Sequence, residues 1–259
     1  MKSIVDVQGQ SDSRNEDINK VGVKGVAVRA FLNYGNNKIF FQGLANCYVF
    51  LPSDKKGTHM SRMARSIAGL MDKNLTYDFL KEAASDLYEK LETNDLSLEL
   101  TGEIIREKIS PVSKFTGYES LKLTFVIKKQ ESDFTIDIIL EVIGTSLCPA
   151  SKTNSKYGAH NQRSLVKVKA PFTQDTNISA YINTMEGSLS AQVFPILKLD
   201  DEALVTETAY ENPKFVEDIV RDVAKNLKEK NLRFKLIDCE NFESIHTHNA
   251  YALILNQDE

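Results

Sequence analysis

Two periodicities take turns along this chain, and their order narrows the fold more than any single residue does. Val21, Val23, Val26 and Val28 are β-branched and strand-like. Asn33-Tyr34-Gly35-Asn36-Asn37 interrupts the run and Ile39 to Leu51 resumes it, which predicts a hairpin with a Gly/Asn turn. Met60, Met63, Ala64, Ile67 and Met71 then follow helical spacing, as do Leu80, Ala83, Ala84, Leu87 and Leu91, so two helices each carry one apolar stripe. Thr76 is placed to cap the second. Alternation by two returns in Leu121, Leu123, Phe125 and Ile127. After a turn over Lys128 to Asp133 it continues in Phe134, Ile136, Ile138, Leu140 and Val142.

The second half repeats the order. A strand near Gln162 to Ala170 carries Val166, Val168 and Ala170 on one face. A helix follows with Ile178, Tyr181, Ile182, Met185 and Leu189. Another, with Asn212 as cap and Pro213 in its first turn, carries Val216, Ile219, Val220, Val223 and Leu227. Two strands close the chain, one with Leu232, Phe234 and Leu236, the other with Tyr251, Leu253 and Leu255. The doubled strand-strand-helix-helix-strand-strand order predicts an α+β fold of antiparallel sheets with paired helices on one face. It divides into an extended or mobile segment over 1–19, one module over 20–130 and a second over 131–259. There is no P-loop and no dinucleotide fingerprint.

The net charge of −4 argues against general binding to polyanions such as nucleic acid, so a phosphate-bearing ligand would need a local basic patch. Cys47, Cys148 and Cys239 are odd in number and far apart, which points away from a disulfide framework and toward a reducing compartment. Met1 to Lys20 has no apolar core segment, and no membrane span is visible. A cytoplasmic protein is the expectation.

Four segments could carry chemistry. In Gly144-Thr145-Ser146-Leu147-Cys148-Pro149-Ala150 a strand stops at a cysteine, and Gly158-Ala159-His160-Asn161-Gln162-Arg163-Ser164 returns with a histidine at the next strand start. Cys148 and His160 at facing strand ends could share Zn²⁺, Fe²⁺ or Mn²⁺; alternatively Cys148 is a small buried hydrophobe and His160 an ordinary polar residue. In the second segment Glu202 is read in a loop, where it could complete a metal site. Glu217, early in the following helix, could accept two N–H bonds from a guanine edge, or with Asp218 only complement the helix dipole. In the third, strand alternation puts His246 and His248 on one face, as ligands, proton carriers or solvated polar positions. In the fourth, Lys55-Lys56-Gly57-Thr58-His59-Met60-Ser61-Arg62 opens a helix with cations nearby, either a phosphate site or solvated charge. Lys152, Lys156, Arg163 and Lys167 make a second basic group.

Taken together these segments resemble the type IB family of GTP cyclohydrolase I, from Asp6-Val7-Gln8 onward. The runs that carry the resemblance are Lys56 to Arg62, Gly158 to Ser164, Tyr210-Glu211-Asn212-Pro213-Lys214-Phe215-Val216-Glu217-Asp218 and Glu243-Ser244-Ile245-His246. The resemblance implies the tunnelling fold, two modules per chain, homotetramers with active sites between subunits, and conversion of GTP and water to dihydroneopterin triphosphate and formate with a divalent metal, Mn²⁺ or Zn²⁺ and possibly Fe²⁺. It implies Cys148 and His160 as metal ligands and Glu202 as a third ligand or near neighbour. It implies Glu217 as the guanine anchor, His246 or His248 as ligand or proton donor, and Lys56, Arg62, Lys152 and Arg163 as candidates for the triphosphate. The family usually reads Cys-Pro-Cys where this chain has Cys148-Pro149-Ala150, so the first cysteine is the one taken as ligand. The archaeal type of GTP cyclohydrolase with a cyclic phosphate product, the nitrile reductase of the same fold, and a non-catalytic purine- or pterin-binding relative are the competing expectations.

Overall fold

The computed structural model describes residues 7, 8 and 10–256. Of the N-terminal segment 1–19, residues 1–6 and 9 lie outside the described residues. The part beside them is extended and docked: Ser11 bridges Lys55, and Lys56 N–H donates to Gln10 O at 3.0 Å.

Among the described residues the chain forms strands β1 (Ile18–Tyr34), β2 (Asn37–Leu51), β3 (Asp95–Ile109), β4 (Thr116–Gln130), β5 (Asp133–Leu147), β6 (Asn161–Pro171), β7 (Ala191–Gln192), β8 (Leu236–Asn241) and β9 (Ala250–Leu255). The helices are α1 (Met60–Ala68), α2 (Tyr77–Leu91), α3 (Pro149–Asn154), α4 (Ile178–Gly187), α5 (Leu199–Glu211) and α6 (Val216–Glu229). One antiparallel sheet runs β1-β2-β3-β4-β5-β6-β8-β9, with β7 paired to β5. The predicted hairpin is β1–β2, closed where Tyr34 pairs with Asn37 and Gly35 takes a positive φ of 57°. A second positive φ, 78° at Gly25, falls at a register shift of β1, and Gly25 N–H there donates to Asn46 Oδ1.

The apolar stripes do what their spacing predicts. Met63 and Ile67 of α1, Leu80, Ala84, Leu87 and Leu91 of α2, Tyr181, Ile182 and Met185 of α4, and Ile219, Val220, Val223 and Leu227 of α6 are buried in one core with alternate residues of the strands. Each large apolar side chain taken from water contributes roughly 1.5–3 kcal/mol. Met60 and Met71 end the first stripe and stay exposed at 41% and 39%. Thr76 caps α2, its Oγ1 accepting from Phe79 N–H at 3.3 Å.

Several elements depart from the sequence reading. β3 escapes it although Leu96, Leu98, Leu100 and Ile104 are buried; its inward Arg106 and Lys108 blur the alternation. Glu202 lies in the first turn of a helix, α5, and not in a loop. That helix has a weak apolar stripe, with Ala209 its one buried hydrophobic residue, so periodicity gives little sign of it. Asn212 closes α5, its amide donating to Leu189 O and Ser190 O, and α6 starts only at Val216, where Asp218 reaches back to accept from Phe215 N–H. The last hairpin begins at Leu236, because Leu232 and Phe234 belong to the turn after α6. His246 and His248 precede β9 in an irregular segment.

Two polar anchors tie distant elements together. β4 and β5 pair only up to Leu123–Leu140, and beyond that level β5 takes β7 as partner. Near this split Glu186 of α4, 5% exposed, receives both Arg106 and Lys108 of β3; Arg106 also bonds Glu119 of β4 and the Tyr34 hydroxyl. Asp201 of α5, fully buried, accepts from Val112 N–H, Ser113 N–H, Ser113 Oγ–H and Lys198 N–H, holding the β3–β4 tip. Burial alone would raise its carboxyl pKa, but these hydrogen bonds outweigh it and hold the group well below the usual carboxylate range.

Replacing Glu186→Ala leaves two buried cations with Glu119 as their one carboxylate, and a loss of about 3–5 kcal/mol is expected in urea unfolding. Asp201→Asn is expected to lower the urea midpoint at neutral pH. Because the folded carboxyl pKa is depressed, the aspartate's contribution is present above about pH 4, the unfolded value, and fades as pH falls toward the folded one. The gap between parent and variant therefore narrows on acidification, which paired unfolding curves at pH 7 and pH 3 measure.

Candidate active site

Three neighbouring strands change character at one level of the sheet. On the helix-covered face, β5 reads Ile136, Ile138, Leu140, Val142 and then Gly144, Ser146, Cys148. From the opposite direction β6 reads Ala170, Val168, Val166 and then Ser164, Gln162, His160; β8 reads Ile237, Cys239 and then Asn241, Glu243. The β5–β6 register ends with Leu147 opposite Asn161. One step further Cys148 N–H donates to His160 O at 3.1 Å, so the two residues face each other at the mouth of the ladder. Directly opposed antiparallel residues share a face, with Cβ atoms roughly 5 Å apart.

Below them the polar groups satisfy one another. Ser164 Oγ–H donates to Asn241 Oδ1 at 2.6 Å, Gln162 Nε2 donates to Ser146 Oγ at 2.7 Å, and His160 Nδ1 meets Gln162 Oε1 at 2.9 Å. Ser146 and Ser164 are fully buried. The β6–β8 register pairs Ser164 with Asn241, and its continuation sets Glu243 beside Gln162. Glu243 Oε2 lies 3.8 Å from His160 Nδ1 and has no hydrogen-bond partner, with 11% of its side chain exposed. A buried carboxylate oxygen without a donor is costly. It is the group that the sequence reading missed. The parity of Asn241 and Glu243 across exposed Phe242 is the signal that could have shown it.

Cys148 also caps α3, its Sγ accepting from Ser151 N–H at 3.4 Å. Burial pushes the Cys47 and Cys239 thiols up to about 12, and for Cys239 the carboxylates of Asp238 and Glu240 add to it. Lys214 N–H donates to Leu147 O, which docks the start of α6 beside Cys148, and Glu217 stands exposed three residues on, in the first turn. Lys152 of α3 is at this end too, its ammonium donating to Tyr210 O and lying 4.3 Å from the Tyr210 ring centre.

Not every expected residue joins this group. Arg163 alternates with Gln162 and Ser164, so it faces the other side of the sheet, where it lines a cavity of about 520 Å³ with Glu103, Lys122 and Glu141. Glu202 is exposed and lies eight positions before Tyr210 in the helix, roughly 12 Å along the axis. His246 and His248 are exposed beyond Glu243, their rings stacked with centres 5.1 Å apart, and no strand alternation applies to them. Lys56 and Arg62 follow the other end of β2; Lys56 Nζ donates to Gln10 Oε1, and Arg62 donates to Lys90 O at the end of α2. The register carries that end across to Asp133 of β5, so fourteen residues of strand, roughly 45 Å, separate their level from Cys148 within one chain. Among the described residues no three His, Cys, Asp or Glu side chains are gathered closely enough to hold an ion. No helix among them is long and apolar enough to cross a membrane.

The fold is shared with uricase from Arthrobacter globiformis, at a TM-score of 0.52 and 11% identity over 93% of this chain and 94% of that one. A hyper-thermostable AgUricase mutant matches at 0.54 and 10%, covering 93% of each chain. Such low identity speaks for the fold alone, which is the tunnelling fold. Sequence relatives reach further. This chain is 40% identical over 252 residues to the GTP cyclohydrolase FolE2 of Ralstonia nicotianae, covering 96% of this chain and 93% of that protein. It is 40% identical over 256 residues to that of Syntrophobacter fumaroxidans (97% and 98%) and 38% identical over 251 to that of Thermosipho africanus (96% and 96%). The family model described as type I GTP cyclohydrolase folE2 matches residues 4–252, and the chain therefore belongs to the type I GTP cyclohydrolase FolE2 family.

Proposed function

We propose that this chain converts GTP and water to 7,8-dihydroneopterin triphosphate and formate, the first step of folate synthesis, at the Cys148–His160 end of β5 and β6. The observation that carries the reading is the switch from apolar to polar residues on three adjacent strands, ending in an opposed thiol and imidazole beside Glu243, whose Oε2 has no hydrogen-bond partner. Thiolate, imidazole and carboxylate suit a divalent cation, Zn²⁺, Mn²⁺ or Fe²⁺. Cys148 and His160 would hold it, and Glu243 stands behind the imidazole, its Oε2 3.8 Å from Nδ1. Glu202 is the further candidate, reaching the site from a neighbouring copy. Bound there, the cation would supply an activated water near neutral pH for attack at carbon 8 of guanine.

The remaining tasks fall to the protein. The Glu217 carboxylate would accept from N1–H and the exocyclic N–H of guanine. His246 or His248 would carry the proton that assists opening of the imidazole ring. Release of formate, rearrangement of the ribose and closure of the new ring complete the conversion. Lys152 lies at the same end of the sheet as Cys148 and would meet the triphosphate. Arg163 would meet it from the other sheet face, and Lys56 and Arg62 from a second copy. A homotetramer fits that need, and the outer strand β9 presents Tyr251, Leu253 and Leu255 at 59%, 45% and 61% exposure. In this reading the two tunnelling modules, 20–130 and 131–259, meet at the Glu131-Ser132 turn, the sheet continues across it, and the enzyme works in the cytoplasm.

Metal-stripped protein given GTP with Mn²⁺, Zn²⁺ or Fe²⁺ separately is expected to release formate and, after oxidation, fluorescent neopterin triphosphate with at least one ion. Cys148→Ala is expected to abolish that turnover. GTP binding with no product under any ion would refute the enzymatic reading, and a cyclic phosphate product would move the chain to the archaeal type of reaction. Glu217→Gln removes a charged acceptor worth about 1.5–3 kcal/mol, so kcat/KM is expected to fall about 10- to 100-fold.

A further inference from the structure

The histidine at the site has two ring nitrogens, and the fold treats them differently. His160 Nδ1 is 2.9 Å from Gln162 Oε1 and 3.8 Å from Glu243 Oε2. Gln162 is 7% exposed, and its other amide atom, Nε2, is occupied by the fully buried Ser146 hydroxyl at 2.7 Å. A side-chain amide has one accepting and one donating end, so the Ser146 contact bears on which end meets the imidazole. Ser146 alone leaves the choice open, since a hydroxyl can donate or accept. Oε1 is the end that faces Nδ1, at 2.9 Å, and the Glu243 carboxylate reinforces that orientation. An oxygen that receives no hydrogen bond, close to Nδ1, favours a proton on that nitrogen over a lone pair. With Nδ1 protonated, Gln162 Oε1 is the matching acceptor and Nε2 of the neutral ring keeps its lone pair.

We propose that Gln162 is a positioning residue for the site: it locks His160 as the Nδ1–H tautomer, with Ser146 holding the far end of the amide in place, so that Nε2 is the nitrogen presented to a metal. The proposal rests on the reading above of His160 as a ligand. A ligand imidazole needs its second nitrogen held, and loss of such a partner typically weakens metal binding 10- to 100-fold. Strand geometry makes Gln162 the fitting residue. It sits two positions from His160 on the same strand face, so its amide comes alongside the ring, and it sits opposite Ser146 in the β5–β6 register.

The test uses the full-length protein in three forms: parent, Gln162→Met, which keeps the volume and removes the acceptor, and Gln162→Glu, which keeps an acceptor facing Nδ1. Long-range proton–nitrogen NMR on metal-free protein labelled at histidine reports the His160 tautomer without any activity. The expected result is Nδ1–H in the parent and in Gln162→Glu, and a weakened preference in Gln162→Met, where Glu243 at 3.8 Å is the acceptor that remains. Competition titrations with Zn²⁺ and Mn²⁺ are expected to show 10- to 100-fold weaker binding for Gln162→Met, with affinity largely restored in Gln162→Glu. A parent that carries Nε2–H, or a Gln162→Met protein that keeps both the tautomer and its metal affinity within about twofold, overturns the proposal. Failure of the underlying reading looks different: His160→Ala would then bind metal as tightly as the parent, whatever the tautomer data say. Circular dichroism and urea unfolding of each variant separate these results from loss of fold.

Discussion

A polar side chain on the helix-covered face of this sheet has no water to turn to, so it must be paired within the protein or left at a cost. Most of that face obeys the rule by being apolar, from Val28 of β1 to Cys239 of β8. At the Cys148 end it obeys by pairing: Ser164 with Asn241, Ser146 with Gln162, Gln162 with His160. One oxygen, on Glu243, is left over. Everything inferred about chemistry depends on that chain of satisfied groups ending in an unsatisfied one, because it separates a site from an ordinary stretch of core.

The register of the ladders makes the arrangement possible. Each strand changes from apolar to polar at its own sequence position, and only the pairing of Leu147 with Asn161 and of Ser164 with Asn241 brings those positions level. A slip of one residue would turn all of them to the other face. The same register sets a limit. It carries Lys56 and Arg62 to the opposite end of the sheet, and parity turns Arg163 to the opposite face, so the basic residues named from the sequence do not converge on Cys148 within one chain. In the proposed reading, a triphosphate site drawing on all of them would take residues from more than one copy.

The comparison with uricase separates scaffold from chemistry. A TM-score of 0.52 at 11% identity leaves architecture in common and little else. Relatives 40% identical over nearly the whole chain share the family as well. The buried ion cluster of Arg106, Lys108, Glu119 and Glu186 belongs to the scaffold side. It joins β3, β4 and α4 near the place where β4 and β5 part company, and it ties that split by charge where the ladder cannot.

Much of the architecture was legible in the sequence, because period-two and period-3.6 spacing are local properties of the backbone. The β1–β2 hairpin, the stripes of α1, α2, α4 and α6 and the Thr76 cap could all be read from neighbouring residues. Elements whose spacing is disturbed could not: β3 turns two cations inward, and α5 has almost no apolar stripe to reveal it. Cys148 and His160 were legible as strand-end residues and as family motifs. Their opposition, the role of Gln162 and Ser146 beneath them, and the approach of Glu243 were not. Those depend on which residue stands across from which, on three strands separated by tens of residues in the chain. Local periodicity assigns a side chain to a face, whereas only the tertiary register decides its neighbour on that face.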